Sequence, residues 1–255
     1  IKEIVDIPVM AGHRINDAET AREMLLDCMC DMVAMGRSLI ADPYLPEKAR
    51  MGREKEVVHC IGCAQGCFDH LFERKPIECL CNPRACREAI TVVAKANPSK
   101  KVLVVGGGPA GISAALTAAD AGHTVLLVEK EDRLGGQLHL AGAPPGRREF
   151  IVLAQDLVNQ LAMKPVAVIL NRTVDAEWID NEKPDAVILA TGAVPINPPI
   201  PGTDLPHVCQ AWEVLLNQVA TGRRVVVVGG GAVGVETAMF LAQKGTLSAE
   251  AVRIA

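Results

Sequence analysis

Apolar positions along the chain fall into short runs bounded by glycine, proline and charge, not into one long period. Near the start, Ile7 to Ala11 reads as a strand, Ala18 to Cys28 as a helix, Met32 to Met35 as a strand and Pro46 to Met51 as a short helix. Asn16 is expected to cap the first helix, with Glu19 completing a capping box. Such a βαβα unit is too small to cover both faces of its own parallel strands. From Lys101 the pattern changes to strand (Val102 to Val105), glycine turn, helix (Ala110 to Ala121) and strand (Thr124 to Glu129), the opening of a doubly wound parallel sheet. A further apolar run, Ala186 to Ala190, ends at Thr191-Gly192, and a second glycine unit begins at Arg224. Between these regions, residues 52–100 carry little strand pattern, are rich in Cys and charge, and end in the linker-like Lys95-Ala-Asn-Pro-Ser-Lys-Lys101.

Composition narrows the classes of function. With 49% apolar and 22% charged residues in 255, the chain can bury a core. Its 26 basic and 30 acidic residues, net −4, offer no electrostatic footprint for nucleic acid or an anionic membrane. Only four Phe, two Trp and one Tyr argue against a base-stacking platform. The longest charge-free run, Val102 to Ala119, is broken by Gly106-Gly-Gly-Pro109 and reads as strand, turn and helix, not as a membrane span. The opening Ile1-Lys-Glu-Ile-Val-Asp6 has no secretory pattern, so a reducing cytoplasmic setting is expected, where nine cysteines point to metal before disulfides. The absence of an initiator Met and the incomplete units at both ends lead to the expectation of a fragment.

Cys60-Ile-Gly-Cys63-Ala-Gln-Gly-Cys67, followed after eleven residues by Cys79, places three thiolates on one tight loop and a fourth on a returning segment. Gly62 and Gly66 let the backbone wrap closely enough for its N–H groups to bond to sulfur. Two metal readings stay open on spacing: a four-cysteine iron–sulfur cluster, or zinc held by Cys60 and Cys63 with two of Cys67, Cys79, Cys81 and Cys86. Cys28, Cys30 and Cys209 are expected to be small buried hydrophobes, and His59 and His70 solvated loop residues.

The first glycine turn, Gly106-Gly-Gly108-Pro109-Ala110-Gly111, follows a strand and opens a helix, the context that gives G-x-G-x-x-G its meaning. Gly106 permits the turn, Gly108 lets backbone approach a pyrophosphate, and Gly111 allows close helix packing. The helix N-terminus at Pro109 and Ala110 offers free N–H groups to phosphate. Glu129, eighteen residues past Gly111, is placed to accept bonds from an adenosine ribose. Leu134-Gly135-Gly136-Gln137 and Ala190-Thr191-Gly192 add two compact segments, and together these favour FAD over NAD at this site. The second unit, Gly229-Gly-Gly231-Ala-Val-Gly234-Val-Glu236, has the same pattern and is assigned to NAD(P)H. The residue that would separate NADH from NADPH is not recognisable in Gly245 to Ala255.

In this order the motifs resemble the iron–sulfur flavoenzymes of the 2,4-dienoyl-CoA reductase and 2-enoate reductase group, whose architecture is shared with trimethylamine dehydrogenase. The resemblance covers essentially the whole chain and selects iron–sulfur over zinc, with Cys60, Cys63, Cys67 and Cys79 as ligands and Asn82-Pro-Arg-Ala-Cys86 as the loop's exit. It implies an α/β fold in four parts. Residues 1–51 would be the last two βα units of an FMN-binding (β/α)8 TIM barrel, 52–100 the [4Fe–4S] loop and linker, 101–221 a Rossmann-like FAD domain, and 222–255 the start of an NAD(P)H domain. Arg14, Gly36 and Arg37 match the segments that hold FMN, in keeping with phosphate sites after barrel strands seven and eight. The implied activity passes electrons from NAD(P)H to FAD, singly through the cluster to FMN, and on to an activated C=C bond of an enoate or acyl-CoA substrate. Amine dehydrogenation or demethylation on the same architecture, and a non-catalytic electron-transfer module, are the rival readings. No catalytic acid is assigned, since Tyr44, the only tyrosine, matches no catalytic position of the group. Oligomeric state, substrate and flux direction stay open.

Overall fold

A computed structural model describes residues 1–244. The N-terminal unit consists of β1 (Met10–Ala11), α1 (Ala18–Leu26), β2 (Met32–Val33), α2 (Gly36–Ala41) and α3 (Leu45–Arg50), with β1 and β2 paired in parallel. Both strands are shorter than the apolar pattern predicts, and α2 was not foreseen. The cap of α1 is Asp17, not Asn16: Asp17 lies in extended backbone directly before the first helical residue and accepts from the Thr20 N–H at 2.7 Å. Glu19 therefore completes no box, and the Asn16 amide is free for a different task.

After a cysteine-bearing segment that contains α4 (His70–Phe72), the chain enters β3 (Lys101–Val105), α5 (Pro109–Asp120), β4 (Thr124–Val128), α6 (Leu138–Ala141) and α7 (Glu149–Ala162). These are followed by β5 (Val166–Ile169), α8 (Ala176–Glu182), β6 (Ala186–Leu189), α9 (Ala211–Leu215) and α10 (Ala232–Lys244). The four strands form one parallel sheet in the order β5-β4-β3-β6, a mixed α/β, Rossmann-like arrangement. Val102, Val104, Val125 and Leu127 of its two central strands pack against Ile112 and Ala115 of α5 and Leu153, Leu157 and Leu161 of α7. The same core takes in Ala41, Ile61 and Cys81, which joins the N-terminal unit and the cysteine loop to the sheet through one apolar cluster.

Val225 to Val228, which the pattern reads as a strand, pairs with no strand among the described residues, and Val226 and Val228 are exposed. A lone apolar run has no ladder to join without a neighbour. The expected nicotinamide discriminator lies outside the described residues. Among the described residues no helix is long and apolar enough to cross a membrane.

Candidate functional site

The first glycine turn joins the C-terminal end of β3 to α5, where ligands bind in open parallel sheets. Gly106 has φ +109°, and a Cβ on Gly111 would overlap the Gly106 carbonyl oxygen, so both positions exclude a side chain. Gly108 is the open face of the turn: a Cβ there would meet only Gly136 Cα, at 4.0 Å. Pro109 opens α5, whose N-terminus has no side-chain cap, leaving first-turn N–H groups for a ligand. The other candidate residues converge here. Glu129, buried at the end of β4, accepts from the backbone N–H groups of Gly107 (2.5 Å) and Glu131 (2.9 Å). Gly135 and Gly136 both have positive φ, and the Gly135 N–H donates to Gly107 O at 2.8 Å. The Gln137 amide reaches Ala193 O at 2.9 Å, tying this segment to Thr191 and Gly192 after β6.

The second turn repeats the first in backbone. Gly229 has φ +114°, and a Cβ on Gly234 would overlap the Gly229 carbonyl oxygen. Cβ atoms on Gly229 and Gly231 would meet nothing within 4 Å, so that face is open. Glu236, on α10, is ion-paired to Arg147, whose guanidinium lies 4.8 Å from the centroid of the Phe150 ring. Arg147 carries no sequence motif and was missed.

The cysteine loop closes at Gly66. Gly66 O accepts from the Glu78 N–H at 2.7 Å, and a Cβ on Gly66 would fall 2.5 Å from Glu78 O. Glycine is therefore what lets the returning segment lay Cys79 beside Cys60, Cys63 and Cys67, and all four line one cleft. Burial pushes the Cys63 thiol up, and negative charge on Cys79, Cys60 and Cys67 adds to that rise. Cys79 is brought down to about 6 by the Cys81 thiol and by the N–H groups of Cys81 and Asn82. Cys81, buried and donating to that thiolate, is pushed up. The Gly62 N–H approaches Cys60 Sγ at 3.4 Å. Among the described residues no three Cys, His, Asp or Glu side chains converge on a position for a single metal ion. Cys28 and Cys209 are exposed instead of buried because each lies outside the packed elements, and only Cys30 of the three joins the interior.

His59 is not a solvated loop residue. Its backbone N–H and Nδ1 both contact the buried Asp156 carboxylate, at 2.8 and 3.0 Å, and that hydrogen bond raises the imidazole above its ordinary 6.5. Asp156 was also missed, although an acid inside the apolar stripe Leu153, Ala154, Leu157, Leu161 of a helix is a signal for a buried partner. His70 is half-buried at the start of α4, with its Nδ1 2.8 Å from Pro76 O, and so is not a solvated loop residue either.

A cavity of about 440 Å³ lies on the other side of Cys60. It is lined by Arg14, Gly36 and Arg37, with Asn16, Ser38 and Phe68 among the other walls. Arg14 and the preceding His13 have φ +55° and +81°, two successive non-glycine residues in the left-handed region, a strain that collects at functional sites. The Arg14 guanidinium pairs with Glu149 at 2.5 Å, and Arg37 lies 5.4 Å from the centroid of Phe68. Cys60 and Arg37 line both this cavity and the four-thiol cleft, so the two share a wall.

Known proteins resemble the chain along almost its whole length. Residues 1–56 match the NADH:flavin oxidoreductase / NADH oxidase family. The chain is 45% identical over 257 residues to a metal reductase of Desulforamulus reducens, covering 99% of this chain and 38% of that protein. It is 37% identical to a cinnamate reductase of Clostridium sporogenes, covering 96% of this chain and 36% of the relative. The solved structure of a 2-naphthoyl-CoA reductase complex superposes with a TM-score of 0.91 at 34% identity, over 96% of this chain and 37% of that one. The chain thus spans less than two-fifths of the length of each of these relatives, and the resemblance to the 2-enoate reductase group holds. Residues 100–254, more than half of the chain, match the pyridine nucleotide-disulphide oxidoreductase model, and the chain belongs to that family.

Proposed function

We propose that the chain is the cofactor-binding part of an NAD(P)H-dependent flavin and iron–sulfur oxidoreductase that reduces an activated C=C bond in an enoate or enoyl thioester. The observation that carries this reading is the shared wall: Cys60 and Arg37 separate the 440 Å³ cavity from the four-thiol cleft, so a flavin and a cluster would lie side by side. The cavity volume suits a cofactor, and Arg14 and Arg37 supply cations for a phosphate and ring edge. Residues 1–51 are accordingly read as the end of an FMN barrel, 52–100 as the cluster segment, 101–221 as the FAD domain and 222–255 as the start of the nicotinamide domain.

The donor sets fit the implied groups. Four cysteines on one cleft, with N–H groups aimed at sulfur, suit a [4Fe–4S] cluster. Gly106, Gly108, Pro109, Ala110, Gly111 and Glu129, with Gly135, Gly136, Gln137, Thr191 and Gly192, form the FAD cradle. Gly229, Gly231, Gly234 and Glu236 form its nicotinamide counterpart. When bound, these cofactors supply the conversion of a two-electron hydride into single electrons and back. The residues bind and orient: the helix termini hold phosphates, Glu129 holds a ribose, and the cysteines fix the cluster against the cavity wall.

The cinnamate and naphthoyl-CoA reductases among the relatives support the substrate class. The test is the visible spectrum of the anaerobically purified protein, expressed from its complete native reading frame, with NADH or NADPH and then cinnamate or an enoyl-CoA. Brown cluster absorption with flavin peaks that bleach with nicotinamide and return with the enoate supports the reading. A zinc-loaded colourless protein refutes it, and amine-driven bleaching with no NAD(P)H oxidation replaces it by an amine dehydrogenase.

A further inference from the structure

The segment that leads into the first cysteine is held by side chains from both sides of the molecule. Glu56 O accepts from Lys48 Nζ (2.8 Å) and Gln160 Nε2 (2.5 Å), and the Val58 N–H donates to Asp42 (3.0 Å). The His59 N–H donates to Asp156 (2.8 Å). At Cys60 a single amide takes both backbone groups: Asn16 Oδ1 accepts from the Cys60 N–H at 3.1 Å and Asn16 Nδ2 donates to Cys60 O at 2.6 Å. The pairing itself fixes the amide's orientation, because Oδ1 must face the Cys60 N–H and Nδ2 the Cys60 carbonyl, while Ser38 Oγ nearby donates to Ile15 O at 2.8 Å.

This arrangement is specific to one cysteine. Among the described residues no side chain bonds to the backbone of Cys63, Cys67 or Cys79. Among the described residues His59 alone partners Asp156, whose side chain is only 5% exposed, so a carboxylate has been taken out of water to hold this strap. A bidentate grip on a residue's own N–H and C=O sets its backbone angles and hence the direction of its Sγ.

We propose that Asn16 and Asp156 are positioning residues for Cys60, fixing it from the N-terminal unit and from α7 as the reference ligand beside which Cys63, Cys67 and Cys79 are set. The proposal rests on the iron–sulfur reading. Neither residue touches the metal; each acts through the peptide that carries the ligand, as outer-shell partners do.

The test compares wild type with Asn16→Leu, Asn16→Asp and Asp156→Asn in the protein expressed from its complete native reading frame. Three quantities are read: FAD content as the check on folding, the EPR spectrum of the dithionite-reduced cluster, and the half-time of cluster loss to a ferrous chelator. Asn16→Leu removes both bonds and is expected to shorten that half-time roughly tenfold with altered g-values. Asn16→Asp, which keeps the acceptor and loses the donor, falls between it and wild type, and Asp156→Asn shifts the same two readouts. Should Asn16→Leu lose FAD, the two isosteric variants decide. Variants that retain FAD and show the wild-type spectrum and half-time overturn the proposal alone. A wild-type protein holding zinc and no iron overturns the iron–sulfur reading and the proposal with it.

Discussion

Replacing Gly66 by alanine adds one methyl group where the cysteine loop closes, and the structure fixes what it meets. The new Cβ would fall 2.5 Å from Glu78 O, 2.7 Å from Glu78 C and 3.2 Å from Cys79 N, all backbone atoms with no flexible end to yield. Ordinary contact needs the two segments to part by about 1 Å, which lengthens the 2.7 Å bond from Glu78 N–H to Gly66 O beyond use. Overpacking of this kind costs about 1–3 kcal/mol. Loss of the hydrogen bond adds about 1 kcal/mol. The sum is about 2–4 kcal/mol, and it is concentrated at the joint that carries Cys79. Urea unfolding of the metal-free protein should register the loss, and iron and acid-labile sulfide per chain after anaerobic reconstitution should fall with it. Gly222→Ala serves as the control, because its Cβ would meet nothing within 4 Å at an ordinary φ. If Gly66→Ala matches Gly222→Ala in both stability and iron content, the steric argument is wrong.

Three other outcomes follow from the structure. Asp42→Ala leaves Lys48, paired at 2.6 Å and only 15% exposed, without its carboxylate, and should cost about 3–5 kcal/mol by chemical denaturation; a loss below 1 kcal/mol would show that Lys48 finds water. The Asp156 bond raises His59, so its contribution is complete below the unfolded value near 6.5 and fades as pH rises through the folded one. The stability gap between metal-free wild type and Asp156→Asn should therefore shrink as pH climbs from about 6, and a gap independent of pH contradicts the pairing. Cys79, at about 6, should be alkylated by iodoacetamide in the metal-free protein near neutral pH faster than the exposed Cys86, with mass spectrometry locating the adduct; equal rates would remove the case for a thiolate there.

The glycine turns were legible because their chemistry is steric: Gly106, Gly111, Gly229 and Gly234 stand where a Cβ would strike or twist backbone, and no other residue meets that demand. The four thiols were legible because Gly66 closes a loop whose spacing already brings them near one another. Asn16 and Asp156 were not legible in their true roles. Asn16 looked like a helix cap because its residue type favours that position, yet Asp17 stands one place closer, and long-range bonding to Cys60 outweighed the local preference. Asp156 lies 97 residues from its partner, a pairing that no local pattern encodes. Val225 to Val228 failed as a strand for the complementary reason that β character needs a neighbour.

The strap at residues 56–60 also has a consequence for biosynthesis. Its partners at Asn16, Asp42 and Lys48 are already synthesised when His59 is joined to the chain, whereas Asp156 follows 97 residues later. At roughly 5–20 residues per second, about 5–20 s separate the two. During that interval the cysteine loop is tethered on one side only, and its thiols stand open to scavenging metals and oxidants. Ribosome-bound chains halted before α7 should accordingly react with maleimide at Cys60 faster than chains released beyond it. On the proposed iron–sulfur reading, docking of α7 is the step after which the first ligand, Cys60, is held from both sides, so the helix serves assembly of the site as well as its wall.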